Sequence, residues 1–132
     1  MCVKTEKVIF MKEKLLELYE LLKLDRKRSS WSRKNSLEER CDELSKEVEE
    51  IKEALEKNDD ENFKEEVGDV IWDLFSLIII AEEEELLTMK EVVQNTIEKI
   101  KRRKPWLFTD EVLTADEERK RWEEIKAAEK CD

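Results

Sequence analysis

The run from Val67 to Ala81 constrains the fold more than any other stretch, because it is the most apolar part of the chain and its only charged residues are Asp69 and Asp73. It is too short to span a bilayer, for which a helix needs about 20 apolar residues. Its apolar residues cover most of a helix circumference, so we expect a central helix that packs on several sides. A homodimer would cover such a helix better than one short chain, and pairing of dimers into a tetramer stays open.

Composition then indicates the fold class. The 132 residues include one Gly and one Pro, and 47% of them are charged, which favours long helices over sheets with tight turns. We therefore predict an all-α bundle of about five helices, with residues 1–132 in a single domain. The net charge of −10 disfavours nucleic-acid binding. The first residues lack the apolar segment of a signal peptide, so a cytoplasmic protein with no membrane partner is expected.

Apolar spacing and capping residues predict where the helices lie. Ser36 and Glu39 form a capping box at the start of the second helix. Pro105 ends the fourth helix, and Thr114 caps the last one. A basic stretch at 25–34 is expected to form a loop. The predicted spans of the first four helices are 5–24, 36–56, 61–84 and 88–103.

Four other side chains receive structural interpretations. Cys41 lies on the apolar side of the second helix and is expected in the core, since no His is available to activate its thiol. Trp106 and Phe108 are expected to pack. Asp73 is interpreted either as an outer-shell metal ligand or as a dimer contact.

Four carboxylates recur at helical spacing on two successive helices. Glu47 and Glu50 are three residues apart on the second helix, and Glu66 and Asp69 are three apart on the third. Residues i and i+3 share a helix face, so the four acids converge if the helices fold back through 57–60. At about 4 Å each like-charge pair costs about 1 to 4 kcal/mol. Convergence would therefore imply a bound cation.

The residues that the chain lacks indicate which cation this would be. There is no His, and Cys2, Cys41 and Cys131 are far apart in sequence, so a zinc site with the usual nitrogen and sulfur ligands is close to excluded. Ligation by oxygen alone favours Mg²⁺, Mn²⁺ or Ca²⁺. No EF-hand loop is present, so Mg²⁺ is favoured, with Mn²⁺ as a substitute. Because Mg²⁺ commonly meets phosphate oxygens, a substrate with a polyphosphate is expected.

Three further segments accompany the acids. The segment from Lys99 to Phe108 resembles the pattern Lys-x-x-Arg-Arg-His-Pro-His-Val-Phe, and the segment from Trp122 to Lys130 resembles a Trp-Glu-x-x-Lys segment. Trp31 precedes Glu47 at the distance at which the same sequence pattern has a Trp followed by Gln and Thr. With Glu-x-x-Glu, a spacer and Glu-x-x-Asp, these features resemble the MazG family of all-α nucleoside triphosphate pyrophosphohydrolases.

The resemblance implies an activity and a set of site residues. It implies that a nucleoside triphosphate (NTP or dNTP) reacts with water at the α-phosphorus, giving the monophosphate and pyrophosphate, in a housecleaning role. The catalytic metal ligands would be Glu47, Glu50, Glu66 and Asp69. The nucleotide would be contacted at its phosphates by Lys99 and Arg103 and at its base by Trp31. Trp122 and Lys126 would form a second pair of contacts in the nucleotide-binding pocket.

The chain departs from the family pattern at several positions. Lys46 stands where the family often has a Glu, and Lys104 and Trp106 replace the two His. Asn35 and Ser36 replace the usual Gln and Thr. Base preference therefore stays open, and a relative specific for dUTP, dCTP or phosphoribosyl-ATP is an alternative. Another is a non-catalytic helical dimer that senses nucleotides or binds a partner protein.

Overall fold

The computed structural model describes residues 2–131, and all regular structure in this range is helical. This confirms the all-α prediction. None of the helices in this range is long and apolar enough to cross a membrane. The helices are α1 (Cys2–Arg28), α2 (Ser30–Lys34), α3 (Leu37–Glu56), α4 (Asp60–Glu83), α5 (Met89–Arg103) and α6 (Ala115–Glu129), with a 3₁₀ turn at Pro105–Phe108.

The chain forms two compact units. The first ends at Met89 and contains α1 to α4, and the second begins at Lys90 and contains most of α5, the 3₁₀ turn and α6. The spans predicted for the second, third and fourth helices agree with α3, α4 and α5 to within about one residue at each end. That residues 1–132 form a single domain stays a prediction.

The centre of the first unit is a helical hairpin formed by α3 and α4. α3 begins with the predicted capping box: the N–H of Glu39 donates to Ser36 Oγ at 3.2 Å, and the N–H of Ser36 donates to the Glu39 carboxylate at 3.4 Å. The connection between the helices is short, and Asn58 in it has a left-handed backbone with φ of 52°, which Asn tolerates better than most residues. So short a connection makes the two helices antiparallel. Residues of α3 therefore face residues of α4.

The basic stretch at 25–34 is mostly helical, so the predicted loop is wrong. α1 continues beyond residue 24, and α2 follows almost at once. Ser29 caps α2 by accepting a hydrogen bond from the N–H of Ser32 at 3.2 Å. The guanidinium of Arg26 also donates to the backbone carbonyl of Ser32. Arg and Lys are good helix formers and suit the negative C-terminal end of a helix, so basic character alone does not indicate a loop.

The buried core of the first unit is small. Leu22 of α1, Ala54 of α3 and the consecutive residues 78–81 of α4 are buried. Residues 5–17 of α1 are all exposed. α1 is therefore covered only toward its C-terminal end.

Two side chains that were expected to pack are exposed. Cys41 is exposed because its neighbour Arg40 takes the buried place at this point of α3. In the 3₁₀ turn, Trp106 is buried as expected, whereas Phe108 is 66% exposed. A 3₁₀ helix has three residues per turn, so positions 106 and 108 point in different directions.

Candidate functional site

The four predicted carboxylates, which we call the acid cluster (Glu47, Glu50, Glu66 and Asp69), come from the facing helices α3 and α4. Carboxylate oxygens of Glu47, Glu66 and Asp69 lie within 4.8 Å of one another. Glu66 is only 9% exposed, and Glu47 and Asp69 are half-buried. Glu50 is exposed at the edge of the group, where its carboxylate helps to raise the pKa of Glu47. The structure thus brings three of the carboxylates together and places the fourth beside them.

Mutual repulsion and burial favour protonation in the acid cluster. The hydrogen bond that protonated Glu47 donates to Glu66, followed by burial and by the contact with Glu50, raises the pKa of Glu47 to about 8. The hydrogen bond from Glu47 lowers the pKa of Glu66, but Glu50 and burial outweigh this and raise it. At neutral pH the cluster therefore retains a proton unless a cation replaces it.

The oxygen atoms of the acid cluster fit a divalent cation. Glu47 Oε2 and Glu66 Oε2 are buried and have no hydrogen-bond partner among the described residues. Leaving a buried acceptor unsatisfied costs free energy, and a cation would satisfy both oxygens. The donor set contains only oxygen, which suits Mg²⁺ or Mn²⁺.

We expect the metal-free protein to lose stability as the pH rises through the neutral range. The pKa of Glu47 is about 8 in the folded state against 4.5 as its ordinary value, so the folded state binds this proton more tightly. The resulting stabilisation is complete below the ordinary pKa and is lost as the pH rises through the folded value. In the presence of a chelator, the melting temperature should therefore decrease as the pH is raised from about 5 to about 8.

The same melting experiment contains its own controls. Saturating Mg²⁺ should flatten the decline, because a bound cation replaces the proton. Glu47→Gln should flatten it without metal, because the titrating group is gone. A decline of equal size in wild-type protein and in Glu47→Gln would show that another group causes it.

A buried ion pair lies one helical turn from the acid cluster and is not among the predicted site residues. Arg40 Nη1 donates to Asp73 Oδ1 at 3.2 Å, and Arg40 Nη2 donates to Asn35 Oδ1 at 2.7 Å. Arg40 and Asp73 are both buried. Asp73 therefore has a partner within its own chain, which neither sequence interpretation foresaw. The available signal was that Arg40 interrupts the apolar stripe between Leu37 and Leu44.

Trp31, the residue expected at the base of the nucleotide, lies on α2 in the same unit as the acid cluster. It is 62% exposed. The guanidinium of Arg40 lies 5.0 Å from the centroid of its ring, which is within the range of a cation–π contact. The buried pair and the exposed indole therefore belong to one connected group of side chains.

In the second unit, three of the four side chains expected to contact the nucleotide lie together. The Arg103 guanidinium is 5.5 Å and the Lys126 ammonium 4.9 Å from the centroid of the Trp122 ring. Lys99 lies one turn before Arg103 on α5 and is exposed. The structure thus joins α5 and α6 through a group of cations around one indole.

Glu129, which is not among the predicted site residues, binds Arg103 and the adjacent Arg102. Its two oxygens accept hydrogen bonds from Arg102 Nε at 2.6 Å and from Arg103 Nη2 at 3.0 Å. The hydrogen bonds from Arg103 and then from Arg102 lower the pKa of Glu129 to about 2. The guanidinium of Arg103 is therefore held in place by α6.

Comparison with known families gives a match that includes the acid cluster. A family described as the MazG nucleotide pyrophosphohydrolase domain matches residues 35–108. This range contains all four acids, Lys99 and Arg103. Trp31, Trp122 and Lys126 lie outside the matched range.

Individual relatives agree with the family match. A Thermotoga maritima protein named nucleoside triphosphate pyrophosphohydrolase/pyrophosphatase MazG is 36% identical over 100 residues, which are 76% of this chain and 38% of that protein. The uncharacterized protein YabN of Bacillus subtilis is 34% identical over 107 residues, 80% of this chain and 20% of that protein. The chain thus spans well under half the length of these curated relatives.

A solved structure supports the fold. The crystal structure of a MazG-related protein from Thermotoga maritima matches with a TM-score of 0.78 and 36% sequence identity. The match covers 87% of this chain and 98% of that one.

Proposed function

Because the chain belongs to the MazG family of nucleotide pyrophosphohydrolase domains, we propose that it hydrolyses nucleoside or deoxynucleoside triphosphates to the monophosphate and pyrophosphate, with Mg²⁺ as cofactor. The acid cluster carries the proposal: oxygens of three of its carboxylates lie within 4.8 Å of one another, and two of these carboxylates have buried oxygens with no hydrogen-bond partner in the part of the chain that the structure describes. Such an arrangement is unfavourable unless a cation or a proton offsets the negative charge. Oxygen ligands of this kind suit a metal that also binds phosphate.

The acid cluster would act in three ways. Its carboxylates hold the metal and orient a water molecule for in-line attack on the α-phosphorus. One of them accepts the proton of that water as the new P–O bond forms and the bond to the bridging oxygen breaks. Bound Mg²⁺ supplies charge neutralisation for the triphosphate and for the leaving pyrophosphate.

The nucleotide itself would be recognised by cations and by indole rings. We assign phosphate contacts to Lys99, Arg103 and Lys126, since Arg suits bidentate phosphate binding and Lys acts as a point charge. Arg103 is suited to this because Glu129 already fixes its orientation. Trp31 and Trp122 would supply stacking surfaces, which favour any nucleobase.

We further propose that the protein works as a homodimer, or as a tetramer built from dimers. Large apolar side chains are exposed on α1 and α4, among them Phe10 at 64% and Trp72 at 48%. Exposed apolar surface of this kind commonly marks an interface. A second copy of the chain would cover α4 in the manner predicted from its apolar run.

Product identity tests the proposed reaction. A panel of NTPs and dNTPs is incubated with the protein and Mg²⁺, with a chelator control, and the products are separated. We expect the monophosphate and pyrophosphate, formed only with metal, and the panel would rank bases and show whether non-canonical nucleotides are removed. Formation of the diphosphate and inorganic phosphate would mean attack at the γ-phosphorus and would overturn the proposal. Nucleotide binding without any product would instead support the sensor alternative.

A further inference from the structure

We propose that Arg40 is a positioning residue, held by Asp73 and Asn35, that fixes the indole of Trp31 as the surface on which the base of the nucleotide stacks. This inference deepens the proposed function and rests on it, because it states how one part of the substrate would be recognised.

Arg40 is held in a fixed orientation. Its side chain is nearly fully buried, with the residue 5% exposed. One terminal nitrogen donates to Asp73 at 3.2 Å and the other to Asn35 at 2.7 Å. Because the guanidinium is planar, two hydrogen bonds from its two terminal nitrogens fix the orientation of that plane.

Trp31 contacts this fixed guanidinium and is otherwise largely exposed. The fixed guanidinium lies 5.0 Å from the ring centroid, yet Trp31 remains 62% exposed. α2, which carries Trp31, is itself held by the Ser29 cap and by the hydrogen bond from Arg26 to Ser32. An exposed Trp whose position is fixed from one side offers its free surface for stacking at low entropic cost.

The Arg40–Asp73 anchor of this indole lies on the same helix pair as the acid cluster. Asp69 and Asp73 are four residues apart on α4 and therefore share a face of that helix. Arg40 and Glu47 are seven apart on α3 and share a face in the same way. One pair of helices thus carries both the carboxylates for the phosphate end and the anchor for the indole.

Stability alone does not explain a buried ion pair. Well-packed apolar side chains of similar volume are often as stabilising as a buried pair, or more so. Asp73 and Arg40 would therefore be replaceable if they served only the core. A fixed guanidinium under an exposed indole is something that an apolar pair cannot supply.

Binding measurements with and without a base test this inference. Calorimetry would compare an α,β-methylene nucleoside triphosphate with inorganic tripolyphosphate, each with Mg²⁺. The variants would be Trp31→Ala, the apolar pair Arg40→Met/Asp73→Leu, the two changes combined, and Lys12→Met as an exposed control on α1. We expect Trp31→Ala and the apolar pair each to weaken nucleotide binding by about tenfold. Neither should change tripolyphosphate binding. The combined variant should bind the nucleotide no more weakly than Trp31→Ala alone, because both changes remove the same interaction.

Three outcomes would overturn the inference. The apolar pair could weaken both ligands equally, which would mean a general structural role. Its effect could add fully to that of Trp31→Ala, which would mean that Arg40 does not act through Trp31. Wild-type protein could bind both ligands equally well, which would mean that no base is recognised.

The test can still be read if the apolar pair does not fold or if the protein does not catalyse the proposed reaction. If the apolar pair does not fold, the neutral polar pair Arg40→Gln/Asp73→Asn leaves no unpaired buried charge and is expected to weaken only nucleotide binding, by about tenfold. The readout is binding, so a wild-type protein that binds the nucleotide analogue but hydrolyses nothing would overturn the proposed reaction and leave this inference standing.

Discussion

Replacing Glu66 with glutamine is expected to lower Mg²⁺-dependent hydrolysis by at least about 100-fold. Even the outer-shell partners of metal ligands contribute about 10- to 100-fold to affinity or activity. Glu66 is a buried member of the acid cluster, and one of its oxygens has no hydrogen-bond partner among the described residues. Glutamine keeps the shape but removes the charge that binds a cation. Initial rates at saturating nucleotide, over a range of Mg²⁺ concentrations, measure the effect.

Glu65→Gln is the matched control, because Glu65 precedes Glu66 on α4 but is exposed. It should hydrolyse at close to the wild-type rate. Without metal, Glu66→Gln should melt at a higher temperature than wild type, since one of the repelling charges is gone. A wild-type rate in Glu66→Gln would remove Glu66 from the metal site, and an equal loss in Glu65→Gln would indicate a general effect of surface charge.

Replacing Asp73 with alanine is expected to destabilise the protein by about 3 to 5 kcal/mol, because Arg40 is left as a buried charge without its carboxylate partner. This is a large share of the roughly 5 to 15 kcal/mol by which a domain is usually stable. Burial raises the pKa of Asp73 even though Arg40 acts to lower it, so desolvation of the carboxylate outweighs the attraction within the pair. The free energy of unfolding in urea, followed by circular dichroism, measures the loss.

Two further variants make this result specific. The apolar pair Arg40→Met/Asp73→Leu should regain most of the lost stability, because neither charge is then buried alone. Asp42→Ala, at an exposed position of α3, should change stability by no more than about 0.5 kcal/mol. If Asp73→Ala cost no more than Asp42→Ala, the ion pair would have to be open to water in solution.

The positions of the longer helices could be predicted from sequence because their signals are local. Ser36 and Glu39 cap α3 by contacts three residues apart, and Thr114 caps α6 in the same way. The spacing of the acids on α3 and α4, with only a short connection between those helices, was likewise enough to predict that carboxylates would converge. All these features depend on neighbours within one turn or across one short connection.

The basic stretch at 25–34 shows where local signals fail. Its charge suggested a loop, but the hydrogen bonds of Ser29 and Arg26 to Ser32 form a short helix there. Glu50 also matched the other acids in spacing, yet it lies exposed at the edge of the cluster. Helical spacing gives the face on which a residue lies, but the depth of that residue depends on what packs against the face.

The sequence by itself determined the all-α class, the main helices, the convergence of acids and the family of this protein. Only the tertiary structure decided the pairs that join distant residues, such as Arg40 with Asp73, 33 positions apart, and Arg103 with Glu129, 26 apart. An apolar stripe shows that two helices will pack, but not which polar residue on one stripe will meet a partner on the other. That depends on the register and the crossing of the helices, which the packing of their side chains fixes.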